Sequence, residues 1–177
     1  MNLQATIDPA RTHGRRAGVR VFRCETIVPR SLDETFAFFS DARNLDRLTP
    51  PWVGFRILSP TPIAMRVGAE IDYQIRVRGV PMRWRSRITA WEPGARFIDV
   101  QVRGPYRWWH HEHCFEACNG GTRVIDEIEY LAPLGWLTHR LMVDRDVRRI
   151  FAYRQEALPR ILNTDAPTSS TAFADVT

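Results

Sequence analysis

The sequence contains no lysine, since all 25 of its lysine-plus-arginine positions are arginines. Schiff-base catalysis and phosphate binding by a P-loop both need a lysine, so both are excluded. The three cysteines, Cys24, Cys114 and Cys118, are too few and odd in number for a disulfide framework.

No apolar run approaches the roughly 20 residues of a membrane span. No apolar stretch precedes the first arginines, as a secretory signal would require. We therefore expect a cytoplasmic protein with no membrane span.

The positive charge is concentrated near the N-terminus. The formal net charge is +5, and the arginines at positions 11, 15, 16, 20 and 23 account for most of it. The remainder of the chain is close to neutral. Because no groove-reading motif accompanies this basic segment, we expect no binding to nucleic acid.

Composition and the positions of turn-forming and polar residues predict one folded domain between two tails. Residues 1–18 are polar and arginine-rich, residues 164–177 are rich in Pro, Ser and Thr, and both segments are predicted to be disordered. The intervening residues 19–163 are predicted to form a single ligand-binding domain. With 44% hydrophobic residues, the chain has enough apolar side chains for a sizeable core.

The first half of this domain contains clear helix signals. Alternating residues predict a strand over 19–28. Ser31 and Glu34 have the spacing of a capping box, which predicts a short helix over 32–39. A second short helix is predicted over 41–48, where the prolines at 50 and 51 prevent its continuation.

Regular turn signals then divide the chain into strands. The six predicted strands after the helices lie near 53–58, 69–78, 81–92, 95–102, 106–117 and 122–131. Beyond them, apolar residues at helical spacing predict an amphipathic helix over 135–158 that ends or kinks at Pro159. This order predicts an α+β fold, in which a curved seven-stranded antiparallel sheet surrounds one long C-terminal helix. A cavity is expected between the sheet and that helix.

The hairpin turns predict which residues face each other. A turn at Gly79-Val80 places Tyr73 opposite Ser86 on the inner face and Arg76 opposite Arg83 on the outer face. A turn at Pro93-Gly94 continues the inner face with three more pairs, which are Ala90 with Phe97, Ile88 with Asp99, and Ser86 with Gln101. A turn at Asn119-Gly120 adds three pairs, which are His113 with Asp126, His111 with Ile128, and Trp109 with Tyr130. The loop at Gly104-Pro105 keeps the two halves in phase only if its length is odd.

These registers place polar groups on an otherwise apolar face. The candidate ligand-binding residues are Tyr73, Trp84, Ser86, Phe97, Asp99, Gln101, Trp109, His111 and Tyr130. Unpaired buried charges cost several kcal/mol, so these polar groups must be hydrogen-bonded, hydrated or engaged in catalysis or ligand recognition. His113 and Asp126 form a carboxylate–imidazole pair that suits either general acid–base catalysis or static recognition of a ligand's oxygen atoms. A zinc site could combine Cys114, Cys118 and nearby histidines, but Cys114 is predicted on the opposite strand face from the useful histidines. We expect neither a metal nor another cofactor.

Several segments resemble a known superfamily. They are Phe38-Phe39 to Asn44-Leu45, LTPPWVGF (48–55), GVPMRWRSRITAWEPGARFIDVQVRGPYRWWHHEHCF (79–115) and Ile150 to Arg154. With the element order, they resemble the START-like helix-grip (SRPBCC) superfamily, and within it a bacterial ligand-binding, polyketide cyclase/dehydrase-like subgroup. The resemblance covers about 20–162.

The resemblance implies a ligand-sized hydrophobic cavity, but several functions remain open. The first is binding of a hydrophobic, oxygen-bearing small molecule, such as a polyketide, lipid or quinone-like compound. The second is a cyclase, dehydratase or isomerase that uses His113 and Asp126 as an acid–base pair. The third is an interaction module for a reductase-like partner, because related domains occur beside epimerase-like reductases.

Overall fold

A computed structural model of the chain describes residues 6–8, 18–133 and 142–164. The strands are β1 (Thr6–Asp8), β2 (Arg20–Val28), β3 (Arg56–Ile57), β4 (Glu70–Val77), β5 (Val80–Glu92), β6 (Arg96–Arg103), β7 (Trp108–Cys118) and β8 (Gly121–Leu131). The helices are α1 (Leu32–Phe39), α2 (Leu45–Leu48) and α3 (Asp144–Thr164), with short 3₁₀ turns at Ala42–Asn44 and Pro51–Val53.

The strands form one antiparallel sheet in the order β1-β2-β8-β7-β6-β5-β4-β3. The predicted α+β helix-grip fold, with its curved antiparallel sheet and long C-terminal helix, is confirmed. Two strands differ in extent from the prediction. Thr6–Asp8, predicted to be disordered, pairs with β2 as an eighth strand. The third strand is only two residues long, because Pro51 starts a 3₁₀ turn and Gly54 follows it in the left-handed region at φ 54°.

The hairpin registers agree with the prediction to different degrees. All predicted pairs between β7 and β8 form, including His113 with Asp126. The β4–β5 hairpin is shifted by two residues, so that Tyr73 pairs with Trp84 instead of Ser86. Its turn is Arg78-Gly79, where both residues have positive φ (53° and 84°), as a type I′ turn requires. A shift of two residues keeps every side chain on its predicted face.

The predicted outer pair of Arg76 with Arg83 was therefore wrong, because Arg76 pairs with Pro81 and Arg83 with Gln74. Two further arginines of β5 face carboxylates across the hairpin. Arg85 donates to Asp72 at 2.7 Å, and Arg87 donates to Glu70 at 2.9 Å. These acidic residues balance part of the positive charge on the outer face of the sheet.

The β5–β6 register matches the prediction only beyond a bulge. Ile88 pairs with Asp99 and Ser86 with Gln101, as expected, but Phe97 pairs with Trp91 instead of Ala90. A register irregularity between Ile88 and Ala90 accounts for the difference. Across the Gly104-Pro105 loop, which joins β6 to β7, Asp99 pairs with His111 and Phe97 with His113. The loop therefore keeps the two halves of the inner face in phase.

The helices close the inner face of the sheet. In α1 the capping box forms as predicted, with the Ser31 side chain and the Glu34 carboxylate satisfying each other's backbone N–H groups. The α3 helix continues through Pro159 to Thr164, so the predicted end near 158 was wrong. Leu162 is buried in the core cluster at this end, and Arg30 donates to its carbonyl oxygen at 2.7 Å. The predicted helix start at 135 lies outside the described residues.

Candidate functional site

A cavity of about 620 Å³ lies between the sheet and α3. Its walls come from α1, the segment between α1 and β3, strands β4 to β7, and the N-terminal half of α3. The apolar lining includes Phe38, Phe39, Leu48, Trp52, Ile71, Ile75, Ile88, Val147 and Phe151. The volume falls within the ordinary range of small-molecule pockets.

Eight of the eleven predicted site residues line this cavity: Tyr73, Trp84, Ser86, Phe97, Asp99, Trp109, His111 and His113. The other three are not among the lining residues. Gln101 instead holds the β6–β7 loop, because its amide donates to the carbonyl of Tyr106 and accepts from the N–H of Tyr106. Tyr130 is buried and donates to Asp144 at the start of α3. Asp126 contacts both cavity histidines without lining the cavity itself.

Two histidines and two aspartates form a compact group, here called the His–Asp cluster (Asp99, His111, His113 and Asp126). His111 Nε2 lies 3.0 Å from Asp126 Oδ1, and His113 Nε2 lies 3.2 Å from Asp99 Oδ2. His113 Nδ1 is 2.9 Å from Asp126 Oδ1 but is out of line for a hydrogen bond, which leaves this buried nitrogen without a partner. The two imidazole rings are 3.7 Å apart between centroids. His113 and Asp126 are therefore neighbours as predicted, but the hydrogen bond to Asp126 comes from His111.

Burial controls the ionisation of the cluster. Burial, followed by the charge of His113, lowers the pKa of His111 from 6.5 to about 4, so this imidazole is neutral at pH 7. Burial alone would raise the pKa of Asp126. The Arg154 guanidinium and the two imidazoles outweigh burial and hold the pKa well below its usual value. Burial would likewise raise the pKa of Asp99, but the hydrogen bond from His113 helps to hold it below normal. Both carboxyl groups are therefore ionised at neutral pH.

A serine connects the cluster to the aromatic wall of the cavity. Ser86 Oγ donates to Asp99 Oδ1 at 3.2 Å, because an ionised carboxylate only accepts. The serine oxygen is then an acceptor for Trp84 Nε1 at 3.0 Å and for the Tyr73 hydroxyl at 3.2 Å. Burial raises the pKa of Tyr73 well above 10, so its hydroxyl keeps the proton that it donates. Every hydrogen-bonding position of Ser86 Oγ is used, which fixes the orientation of Asp99.

Arg154 is a further residue of the site that was not predicted from the sequence. Its side chain is about nine-tenths buried, lines the cavity and has two nitrogens, Nε and Nη2, without hydrogen-bond partners. Nη2 lies 3.6 Å from Asp126 Oδ1. The signal was its position, since residue 154 follows Val147 and Phe151 at the spacing of the buried face of α3. An arginine on an apolar helix face needs a partner inside the protein.

The described part of the chain offers one group of side chains suited to a metal ion. Asp99, His111 and His113 each offer one ligand atom, and these atoms lie within 4.8 Å of one another. Cys114 pairs with Arg96 and Ile125 on the opposite face, as predicted, and is a free thiol. Among the described helices, none combines the length and apolar character needed to cross a bilayer.

Structural comparison finds the same fold in proteins of low sequence identity. The Zhui aromatase/cyclase from Streptomyces sp. R1128 matches with a TM-score of 0.67 and 14% identity, covering 86% of this chain and 98% of that one. Ara h 8.0201 matches with a TM-score of 0.61 and 16% identity, covering 84% of this chain and 100% of that one.

A nucleoside-diphosphate sugar epimerase from Corynebacterium glutamicum matches with a TM-score of 0.60 and 22% identity. The match covers 80% of this chain but only 29% of the epimerase. At this identity the likeness shows the fold alone, and it gives no support to a reductase-like partner.

Sequence comparison identifies the family. No curated protein matches the chain. The sequence model of the family described as "Polyketide cyclase / dehydrase and lipid transport" matches residues 28–158, which include every strand from β3 to β8 and most of α3. This match spans about three quarters of the 177 residues, and the chain therefore belongs to the polyketide cyclase/dehydrase and lipid transport family.

Proposed function

We propose that the chain binds a hydrophobic, oxygen-bearing small molecule, such as a polyketide, lipid or quinone-like compound, in the cavity beneath α3. The observation that carries this proposal is the cavity of about 620 Å³, which has aromatic and aliphatic walls and a polar patch formed by Ser86 and the His–Asp cluster. An apolar pocket with a few converging polar groups is the usual form of a ligand site. The apolar walls supply the affinity, and the polar patch orients the oxygen atoms of the ligand.

The polar patch has donors available for such a ligand. Arg154 Nε and Nη2 are buried N–H groups without hydrogen-bond partners, and Arg154 lines the cavity. A buried donor without a partner costs about 1–3 kcal/mol. A ligand carbonyl, hydroxyl or enolate oxygen that accepts from this guanidinium removes that cost. The pocket therefore favours a ligand with an oxygen acceptor over a pure hydrocarbon.

The test uses a variant that fills the cavity. Ile75 lines the cavity from β4, and Ile75→Trp should occupy part of its volume. Val102 is 45% exposed on β6 and absent from the lining, so Val102→Trp is the matched control. Native mass spectrometry and extraction of the purified protein should recover a bound compound from the wild type and from the control. Titration with anilinonaphthalene sulfonate should show saturable binding that Ile75→Trp weakens by about tenfold or more. Equal binding by all three proteins would refute a cavity site.

A second candidate function is catalysis of cyclisation, dehydration or isomerisation. It is favoured by one specific arrangement, in which His113 lines the cavity while Asp126 lies against its far side. A carboxylate behind an imidazole can orient it as a general acid or base. His113→Ala should then abolish turnover of an enolisable carbonyl substrate while affinity changes little. A loss of affinity without any turnover in the wild type supports binding alone.

A further inference from the structure

The imidazole and carboxylate groups of the His–Asp cluster meet at short distances inside the protein. One nitrogen of each imidazole approaches Asp126 Oδ1, at 3.0 Å for His111 and 2.9 Å for His113. The other nitrogen of each imidazole approaches Asp99 Oδ2, at 3.6 Å for His111 and 3.2 Å for His113. His111 Nδ1 and His113 Nε2 therefore converge on the same carboxylate oxygen, Asp99 Oδ2.

One buried nitrogen of the cluster has no hydrogen-bond partner. When His113 donates from Nε2 to Asp99, its Nδ1 makes no hydrogen bond, although it lies 2.9 Å from Asp126 Oδ1. Similarly, when His111 donates from Nε2 to Asp126, its Nδ1 lone pair faces Asp99 Oδ2. Both histidines are at least nine-tenths buried, at 5% and 4% exposure. Buried polar atoms without partners are rare and call for an explanation.

We propose that Asp99, His111 and His113 bind a divalent first-row transition-metal ion, such as Zn²⁺ or Fe²⁺. The metal accepts the lone pairs of His111 Nδ1 and His113 Nε2 and one oxygen of Asp99. The remaining nitrogens, His111 Nε2 and His113 Nδ1, then both carry a proton and face Asp126 Oδ1. One cation thus gives His111 Nδ1, His113 Nε2 and one oxygen of Asp99 a common partner.

The spacing of the three donor atoms fits such an ion. Asp99 Oδ2 lies 3.2 Å from His113 Nε2 and 3.6 Å from His111 Nδ1. Metal–ligand bonds of about 2.0–2.2 Å in a tetrahedral site place neighbouring ligand atoms roughly 3.3–3.6 Å apart. Two imidazoles and one carboxylate are also a donor set that zinc and non-haem iron use in proteins. No metal was expected from the sequence, since the zinc site that it suggested combined the histidines with Cys114 and Cys118.

Groups around the three donors provide the support that metal ligands need. Asp126 accepts from the far side of His111, which fixes the tautomer of this imidazole and makes it a better ligand, and Asp126 Oδ1 also lies 2.9 Å from His113 Nδ1. Arg154 balances the charge of Asp126, so the charge of Asp99 is left for the metal. Ser86 holds the other oxygen of Asp99. The three donor residues all line the cavity, which leaves a coordination position for water or a ligand oxygen.

This site does not depend on the proposed small-molecule ligand, because metal binding is measured on the full chain alone. The protein is stripped with a chelator and titrated with Co²⁺, whose visible absorption reports low-symmetry coordination, and with Zn²⁺ by calorimetry. The wild type should bind one equivalent without a thiolate-to-cobalt charge-transfer band. Failure of cobalt binding refutes the metal site, whereas failure of anilinonaphthalene sulfonate binding refutes only the ligand proposal.

Matched variants separate this site from adventitious binding. His113→Ala and Asp99→Asn each remove a ligand and should abolish the saturable cobalt spectrum. Asp126→Asn should weaken binding about 10- to 100-fold, because Asp126 only positions the ligands. His110→Ala, on the opposite face of the same strand, and the double variant Cys114→Ser/Cys118→Ser should bind as the wild type does. Asp99→Asn keeps the side-chain volume, so its circular dichroism should show an intact fold. Wild-type affinity in Asp99→Asn and His113→Ala, or loss of binding in either control, overturns the proposal.

Discussion

Arg154 on α3 and Asp126 on β8 form a buried ion pair, with 3.6 Å between Nη2 and Oδ1. The arginine is 8% exposed and the aspartate 3% exposed, so neither charge is well solvated. The guanidinium also lies over the rings of Phe39 and Phe151, at 5.2 and 5.6 Å from their centroids. This pair therefore joins the helix to the sheet directly behind the cavity histidines.

The first prediction concerns the loss of one partner from this pair. Arg154→Met keeps most of the side-chain volume but leaves Asp126 as a buried carboxylate without its permanent cation. We expect a loss of about 3–5 kcal/mol in the free energy of unfolding, measured by urea denaturation of metal-free protein. The double variant Arg154→Met/Asp126→Asn should recover much of this loss, because it removes both charges. Additive costs in the double variant would contradict a direct interaction.

The second prediction compares two aspartates at the start of α3. Asp144 accepts from the Tyr130 hydroxyl at 2.9 Å and pairs with Arg20 at 2.6 Å, and its side chain is 12% exposed. Asp146 pairs with Arg78 at 3.4 Å, and both of these side chains are well exposed. Asp144→Ala should cost about 2–4 kcal/mol because it leaves buried partners unsatisfied.

Asp146→Ala should cost less than about 1 kcal/mol, as exposed ion pairs usually do. Thermal unfolding of both variants at the same pH provides the comparison. Equal losses would show that Asp144 does not anchor the helix.

The sequence predicts the sheet well because its turns constrain the register. Asn119-Gly120 predicts the β7–β8 hairpin, and every predicted pair forms. The β4–β5 hairpin is shifted because a non-glycine residue, Arg78, adopts a positive φ, which residue type alone does not indicate. Since the shift is an even number of residues, the side chains on the inner face of the sheet are still predicted correctly.

The composition of the site was harder to predict than the face on which it lies. Asp99 joins His111 and His113 only through the β6–β7 register, and the loop at Gly104-Pro105 left that register open in the sequence. Arg154 was not predicted as a site residue, because arginine is rarely buried. Tertiary contacts with Asp126, which lies on a different element, decide its position. Long-range pairs of this kind leave little local pattern in a single sequence.

The third prediction concerns the serine that orients Asp99. Ser86→Ala removes the acceptor of Trp84 Nε1 and a hydrogen-bond donor to Asp99. Because Trp84 is 5% exposed, its indole N–H would remain buried without its serine partner. We expect a loss of about 2–3 kcal/mol in the free energy of unfolding and a change in the near-ultraviolet circular dichroism. Thr89→Ala, on an exposed position of the same strand, should change neither quantity appreciably.

The fourth prediction concerns access to the cavity. Trp52 lines the cavity yet is 46% exposed, so its indole lies between the cavity and the solvent. It contacts α3 at two points: its ring lies 4.3 Å from the Arg149 guanidinium carbon and 5.6 Å from the centroid of Tyr153. These contacts are largely exposed and together contribute about 1–2 kcal/mol. Such a side chain can move aside without unfolding the domain.

Trp52→Ala should therefore change the rates of ligand exchange more than the stability of the fold. Stopped-flow displacement of anilinonaphthalene sulfonate should show dissociation about tenfold faster than in the wild type, while the free energy of unfolding falls by no more than about 2 kcal/mol. Ile27→Ala, which shortens a side chain that is 43% exposed on β2 and absent from the cavity lining, should leave the dissociation rate unchanged. Unchanged dissociation in Trp52→Ala would mean that the ligand enters by another route, since removing the indole widens only the opening between Pro51–Val53 and α3.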